Sequence, residues 1–144
     1  MPWVRWLMVD VSPYVYDLFS WLSDVHTEIK AHPSATSSLS PAFTVIVNEV
    51  FSEMLSAFRQ IALFSKGGTL RANLDTKLLY GVLSERYPTK HARDTTQAIY
   101  ETISAAARYT TPPEMQENME EAKEVLRVTQ LKILAKYPWF IRDR

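Results

Sequence analysis

The residues that could carry chemistry are few, and their spacing argues against most uses of them. There is no cysteine, so thiolate nucleophiles, thiolate metal sites and disulfides are excluded from this sequence. A serine nucleophile needs an aligned base, and no Gly-x-Ser-x-Gly elbow occurs. Helical proteins hold metals through Glu-x-x-His pairs. The residues three positions before His26, His32 and His91 are Ser23, Ile29 and Pro88, so none fits. The carboxylate pairs Asp24/Glu28 and Glu49/Glu53 lie one helical turn apart and could share a cation, yet that spacing more often makes a solvated helix face. His26 sits beside an apolar stripe, where a hydrogen-bonded edge histidine is expected rather than a general base. Lys66-Gly67-Gly68-Thr69 aims backbone N–H groups outward as anion sites do, but it lacks the spaced glycines and the Gly-Lys-Ser/Thr ending of a phosphate loop. It reads as a turn between helices. No catalytic residue, metal or cofactor is expected, and the chain is not read as an enzyme.

What remains is surface. Over residues 59–94 there are seven Lys/Arg against three acids, a surplus that could meet an acidic partner or anionic lipid head groups. Its residues do not share one helical face, so scattered solvated charges are the plainer reading. Arg71 and Lys77 are its candidate contact residues. Across the whole chain 16 Lys+Arg balance 16 Asp+Glu, which argues against nucleic acid, because phosphate neutralisation needs a concentrated basic surplus. The second feature is aromatic. Trp3, Val4, Trp6, Leu7 and Met8 lie at the start, and Tyr137, Trp139, Phe140 and Ile141 at the finish. Such groups either pack onto the chain's own fold or mark where a partner docks. Trp3, Trp6, Leu7, Trp139 and Phe140 are therefore candidate partner-binding residues, with both roles open.

The elements that would position these groups are punctuated by proline. Eight prolines flank stretches whose apolar residues recur every three and four positions, and proline is tolerated at a helix start but not in its interior. Ser12-Pro13 opens a first helix over 13–31, with Val15, Leu18, Leu22, Val25 and Ile29 in phase. Ser40-Pro41 opens a second over 41–65, whose continuous stripe is Phe43, Ile46, Val47, Val50, Met54, Ala57, Phe58 and Ile61. Lys66 fits its last turn, and Gly67 and Gly68 supply positive φ angles to stop it. A third spans 69–87, and Gly81 inside it predicts a closely packed neighbour. A fourth spans 90–109 with a narrow face of Ala92, Thr96, Ile99, Ile103 and Ala106. Thr111 to Glu114 forms a capping box that starts a fifth over 112–137, where Met115, Met119, Ala122, Leu126, Thr129 and Ile133 fall on one side.

The expectation is an all-α protein, one domain over 1–144, folded as an elongated antiparallel up-and-down bundle of about five helices. No run reaches the ~18 apolar residues of a membrane span, and no signal-peptide cleavage site follows the apolar start. A cytoplasmic location is expected.

One block carries a family resemblance. Phe58-Arg59-Gln60-Ile61, Phe64, Gly67-Gly68, Leu70-Arg71-Ala72 and Leu74-Asp75 resemble the C-terminal region of the Ral-binding subunit of the exocyst, most of all its fungal versions. Asp10-Val11-Ser12-Pro13-Tyr14-Val15, Val25-His26 and the helix after Thr111 follow in that family's order, so the likeness covers residues 3–131. It implies a terminal bundle of a tethering-complex rod that holds secretory vesicles at the plasma membrane, with the other complex subunits as partners and no catalysis. The immunoglobulin-like, Ral-binding domain of animal members has no counterpart here, so Ral binding is not carried over and a fragment or shortened relative is expected. Residues 132–144 look unlike the family. The competing expectation is a free-standing helical interaction module or a homodimer. The residues leave open the oligomeric state and any lipid contact.

Overall fold

Ser12 stands in extended backbone immediately before Pro13, and the chain turns helical there as the proline start signal requires. The computed structural model describes residues 10–32 and 39–141. Among the described residues six α-helices follow one another: α1 (Pro13–Lys30), α2 (Leu39–Arg59), α3 (Lys66–Arg86), α4 (Lys90–Ala106), α5 (Pro112–Glu121) and α6 (Lys123–Lys136), then a short 3₁₀ turn, Pro138–Phe140. No strand occurs among the described residues. The fold is all-α.

The side-chain contacts set the helix directions. Phe43 meets Tyr87 and Phe51 meets Tyr80, with ring centroids 5.3 and 6.1 Å apart, so α3 runs back along α2. Thr89 at the start of α4 donates to Asn48 Oδ1 at 2.7 Å, His91 meets Ser52 at 2.8 Å, and Phe64 N–H donates to the Ala106 carbonyl at 2.9 Å. The paired positions rise together, so α4 runs with α2. Lys66 pairs with Glu114 at 3.5 Å and Gly81 faces Gln130, so α5 and α6 run with α3. From α2 to α5 successive helices alternate up and down, as short connections favour, and α6 continues in the direction of α5.

The third helix is the axis of the bundle. It packs against α4, α5, α6 and the 3₁₀ turn, and eleven of its residues are buried, including Asn73, Asp75 and Thr76 as well as Leu70, Leu74, Leu78, Leu79, Val82 and Leu83. A stripe of leucines predicts one buried face; the structure buries polar positions beside it as well, because neighbours lie on more than one side.

Several boundaries differ from expectation: α2 begins at Leu39, so Pro41 lies inside its first turn and does not open it, and α4 ends at Ala106, short of 109, where Ala107 leaves helical geometry. Gly67 and Gly68 do not stop α2. That helix ends at Arg59, with Gln60 and Ile61 N–H groups bonding the Ala57 and Phe58 carbonyls in a tightened last turn. Ser65 then caps α3 by accepting from Gly68 N–H at 2.9 Å, so both glycines lie in the first turn of a helix, and no described glycine has positive φ. The span expected as one fifth helix is two, α5 and α6, separated at the fully buried Ala122, whose ψ of −2° departs from helical geometry. The interruption leaves the stripe in phase, so periodicity continues through it. Gly81, for its part, has no crowding neighbour: an added Cβ would meet Gln130 Oε1 at 3.5 Å, an ordinary contact.

Candidate functional site

Each of the first two helices carries more apolar surface than the core takes up. Along α1 the core stripe is Val15, Phe19, Leu22 and His26. Beside it, displaced by one position and repeating every three or four residues, run Tyr14, Leu18 and Trp21. On α2 the core stripe is Phe43, Val47, Phe51, Met54 and Phe58, and Ile46, Val50 and Ala57 flank it, with Ile61 just past the helix end. The two flanking stripes face each other across a groove of about 840 Å³, floored by Met54 and Phe58. Trp21 is 52% exposed, Tyr14 43% and Ile61 39%. Three acids, Asp17, Glu49 and Glu53, complete the lining, and no Lys, Arg or His belongs to it.

Of the residues expected in the core stripes, Leu18, Ile46 and Val50 are half-buried, packed against the core while also lining the groove, and Ala57 and Ile61 are exposed on it. Trp21 and Tyr14 are groove residues that the helical period does not single out. Their signal is the width of the apolar face. An amphipathic helix needs a stripe of roughly 100°, and α2 exceeds it with paired apolar residues at 46/47 and 57/58.

One end of the groove is anchored to the interior. Ser12 N–H and Ser12 Oγ donate to the two carboxylate oxygens of the buried Asp75, at 2.7 and 2.6 Å. Asp75 thereby holds the start of α1 onto the middle of α3, and Ser12 makes no cap bond within its own helix. Burial pushes the Asp75 carboxyl above its ordinary value, against the bonds from Ser12 and Tyr14 and the Arg71 charge, which lower it. The Tyr14 hydroxyl is raised above its ordinary range, first by burial and then by Asp75. Just outside, Tyr16 Oη donates to both Asp10 oxygens at 2.9 and 3.0 Å, and burial, with help from Asp10, raises its phenol to about 12.

The other end of the α1–α2 pair is closed by the finish of the chain. Trp139 stacks on His26 with centroids 4.1 Å apart, meets Phe43 edge-on at 5.2 Å, and donates from Nε1 to Ser23 Oγ at 2.9 Å. Phe140 is fully buried and meets Phe19 edge-on at 5.3 Å. His26 is thus a buried ring in an aromatic stack, not an edge histidine; burial, then the charges of Lys30 and Arg86, lower its basicity.

Of the candidate contact residues, Trp139 and Phe140 lie in this stack, so the second aromatic cluster packs on the bundle. Arg71 and Lys77 are exposed on α3 and are not brought together with the groove. Trp3, Trp6 and Leu7 lie outside the described residues. Among the described residues no three His, Asp or Glu side chains gather as metal ligands would, and no helix is long and apolar enough to cross a membrane. The groove presents hydrophobic contact and negative charge, without convergent polar groups around a reacting centre.

The model of the family described as exocyst complex component Sec5 matches the chain over residues 5–137. The match reaches past Leu131 into the segment that looks unlike the family. No curated protein and no solved structure matches the chain. The chain belongs to the exocyst component Sec5 family.

Proposed function

We propose that this chain is a C-terminal helical bundle of the Ral-binding exocyst subunit, of the fungal kind. It acts as a scaffold in the tethering of secretory vesicles before fusion, and Ral binding is not assigned to this segment. The family is one of non-catalytic scaffold subunits, and the other subunits are the partners this reading names. The single observation that carries a contact function for this bundle is the wide, open apolar groove between α1 and α2 with no reactive group in its lining. A scaffold works by complementary surface, and an exposed apolar patch of this kind marks an interaction site. The setting is the cytoplasmic side of the plasma membrane or of secretory vesicles.

The test is reconstitution. The purified chain mixed with the remaining exocyst subunits should co-elute with them on size exclusion, and Trp21→Ser should abolish co-elution while leaving the helical circular dichroism unchanged. A chain that stays alone beside the assembled subunits overturns the tether reading. A chain that instead forms a tight dimer with itself supports the free-standing module.

A further inference from the structure

We infer that the groove between α1 and α2 receives a basic amphipathic helix of a partner protein, its apolar face in the trough and its Lys/Arg flanks against Asp17, Glu49 and Glu53. The inference rests on the reading that this bundle works by contact and specifies the contact's chemistry.

Shape is the first argument. The helical part of the α2 wall runs from Ile46 to Phe58, which at 1.5 Å per residue is roughly 18 Å, or about three helical turns. A compact ligand would leave most of that length open, whereas an amphipathic helix fills it with anchors at i, i+3 or i+4 and i+7. Trp21, half exposed on the opposite wall, is the large aromatic that such anchors pack against.

Charge selects among elongated apolar occupants. All three charged residues of the lining are acids. A fatty acid or an anionic lipid would bring its negative group to a negative rim. A second copy of this chain docking by the same face would bring two patches together whose only charges are acids, since a two-fold interface pairs a patch with itself, and like-charge juxtaposition disfavours it. A helix flanked by Lys and Arg meets neither obstacle. Its charges gain from the acids at the rim, and its leucine-type side chains cover the exposed indole.

Two synthetic helical peptides of about twenty residues test this, sharing one Leu face and differing only in Lys or Glu flanks. Titrated into the full chain, the Lys-flanked peptide should bind about tenfold or more tightly than its Glu-flanked twin at low salt, with the advantage shrinking as salt screens it. The triple variant Asp17→Lys, Glu49→Lys, Glu53→Lys, all exposed positions, should reverse the preference, and Trp21→Ser should weaken both peptides. Equal binding of the two peptides, or a preference that the triple variant leaves in place, overturns the inference. So does failure of the full chain to bind the Lys-flanked peptide, whether sedimentation shows that a second copy fills the groove or the monomer's own residues 1–9 do. If neither peptide binds but Trp21→Ser still releases the chain from the assembled exocyst subunits, the basic-helix inference fails and the scaffold reading stands. If the subunits are held regardless of Trp21 while the charge preference is seen, the groove inference stands and the assembly must use another surface.

Discussion

The inner and outer apolar stripes of α1 and α2 have nearly the same composition and opposite fates. Val15, Phe19, Leu22, Phe43, Val47 and Phe51 are fully buried against the rest of the bundle. One position along each helix, Leu18, Trp21, Ile46, Val50 and Ala57 face the open groove. Residue type does not separate the two sets; the difference is whether another element arrives to cover them. On the inner side α3, α4 and the 3₁₀ turn do so, and on the outer side nothing among the described residues does. Apolar character specifies that a face wants a neighbour, and topology decides whether the neighbour belongs to the same chain.

Substitutions on the two sides should behave differently. The largest effect is expected for Phe140→Ala, which empties an enclosed aromatic site against Phe19 and should cost about 3–5 kcal/mol in urea unfolding. A loss below about 1 kcal/mol would mean that the inner side is not sealed by the chain's finish. Next is Asp75→Ala, which strands the Ser12 N–H and hydroxyl donors; about 2–3 kcal/mol is expected, because bonds to a charged group contribute more than neutral ones. Gly81→Ala should stabilise by about 0.5–1 kcal/mol, since the Cβ has room beside Gln130. Trp21→Ser on the outer side should change unfolding by no more than about 0.5 kcal/mol, yet eliminate partner binding. If it destabilises as strongly as Phe140→Ala, the two stripes are not distinct.

Acid should act on the inner side as well. His26 has a lowered folded-state pKa, from burial and then the charges of Lys30 and Arg86. The unfolded chain therefore holds the extra proton, stability from this group is complete above its unfolded value of 6.5, and it is lost as pH falls below that. Asp75, raised by burial, has the opposite sign: the folded chain takes its proton first, so this group favours the fold as pH falls through its folded pKa toward 3.8. His26→Phe should flatten the upper limb of the stability profile and Asp75→Asn the lower one, read by thermal melts across pH.

Much of this architecture follows from periodicity and punctuation. Pro13, Thr111 and Pro112 mark helix starts because their chemistry is local, and the buried leucines of α3 fall where a repeat of three and four puts them. What escapes are features created by distant partners. Asp75 looks like an ordinary surface acid until Ser12, 63 residues away, is placed beside it. Gly67 and Gly68 suit either a helix stop or a first turn, and the choice falls to Phe64, whose N–H is taken by Ala106 across the bundle. The groove is hidden for a related reason: an apolar residue on a helix reads as interior, and nothing in one helix's period tells how much of its face the neighbours reach.

The bond from Trp139 to Ser23 joins positions 116 residues apart. Closing so long a loop is entropically unfavourable until most of the intervening helices are in place, and contacts of such separation form late and slowly. The same ring stack steadies α1, which is one wall of the groove. A chain still emerging during synthesis therefore has no finished trough to offer. Loss of that aromatic turn would loosen the distant wall without altering any residue in it.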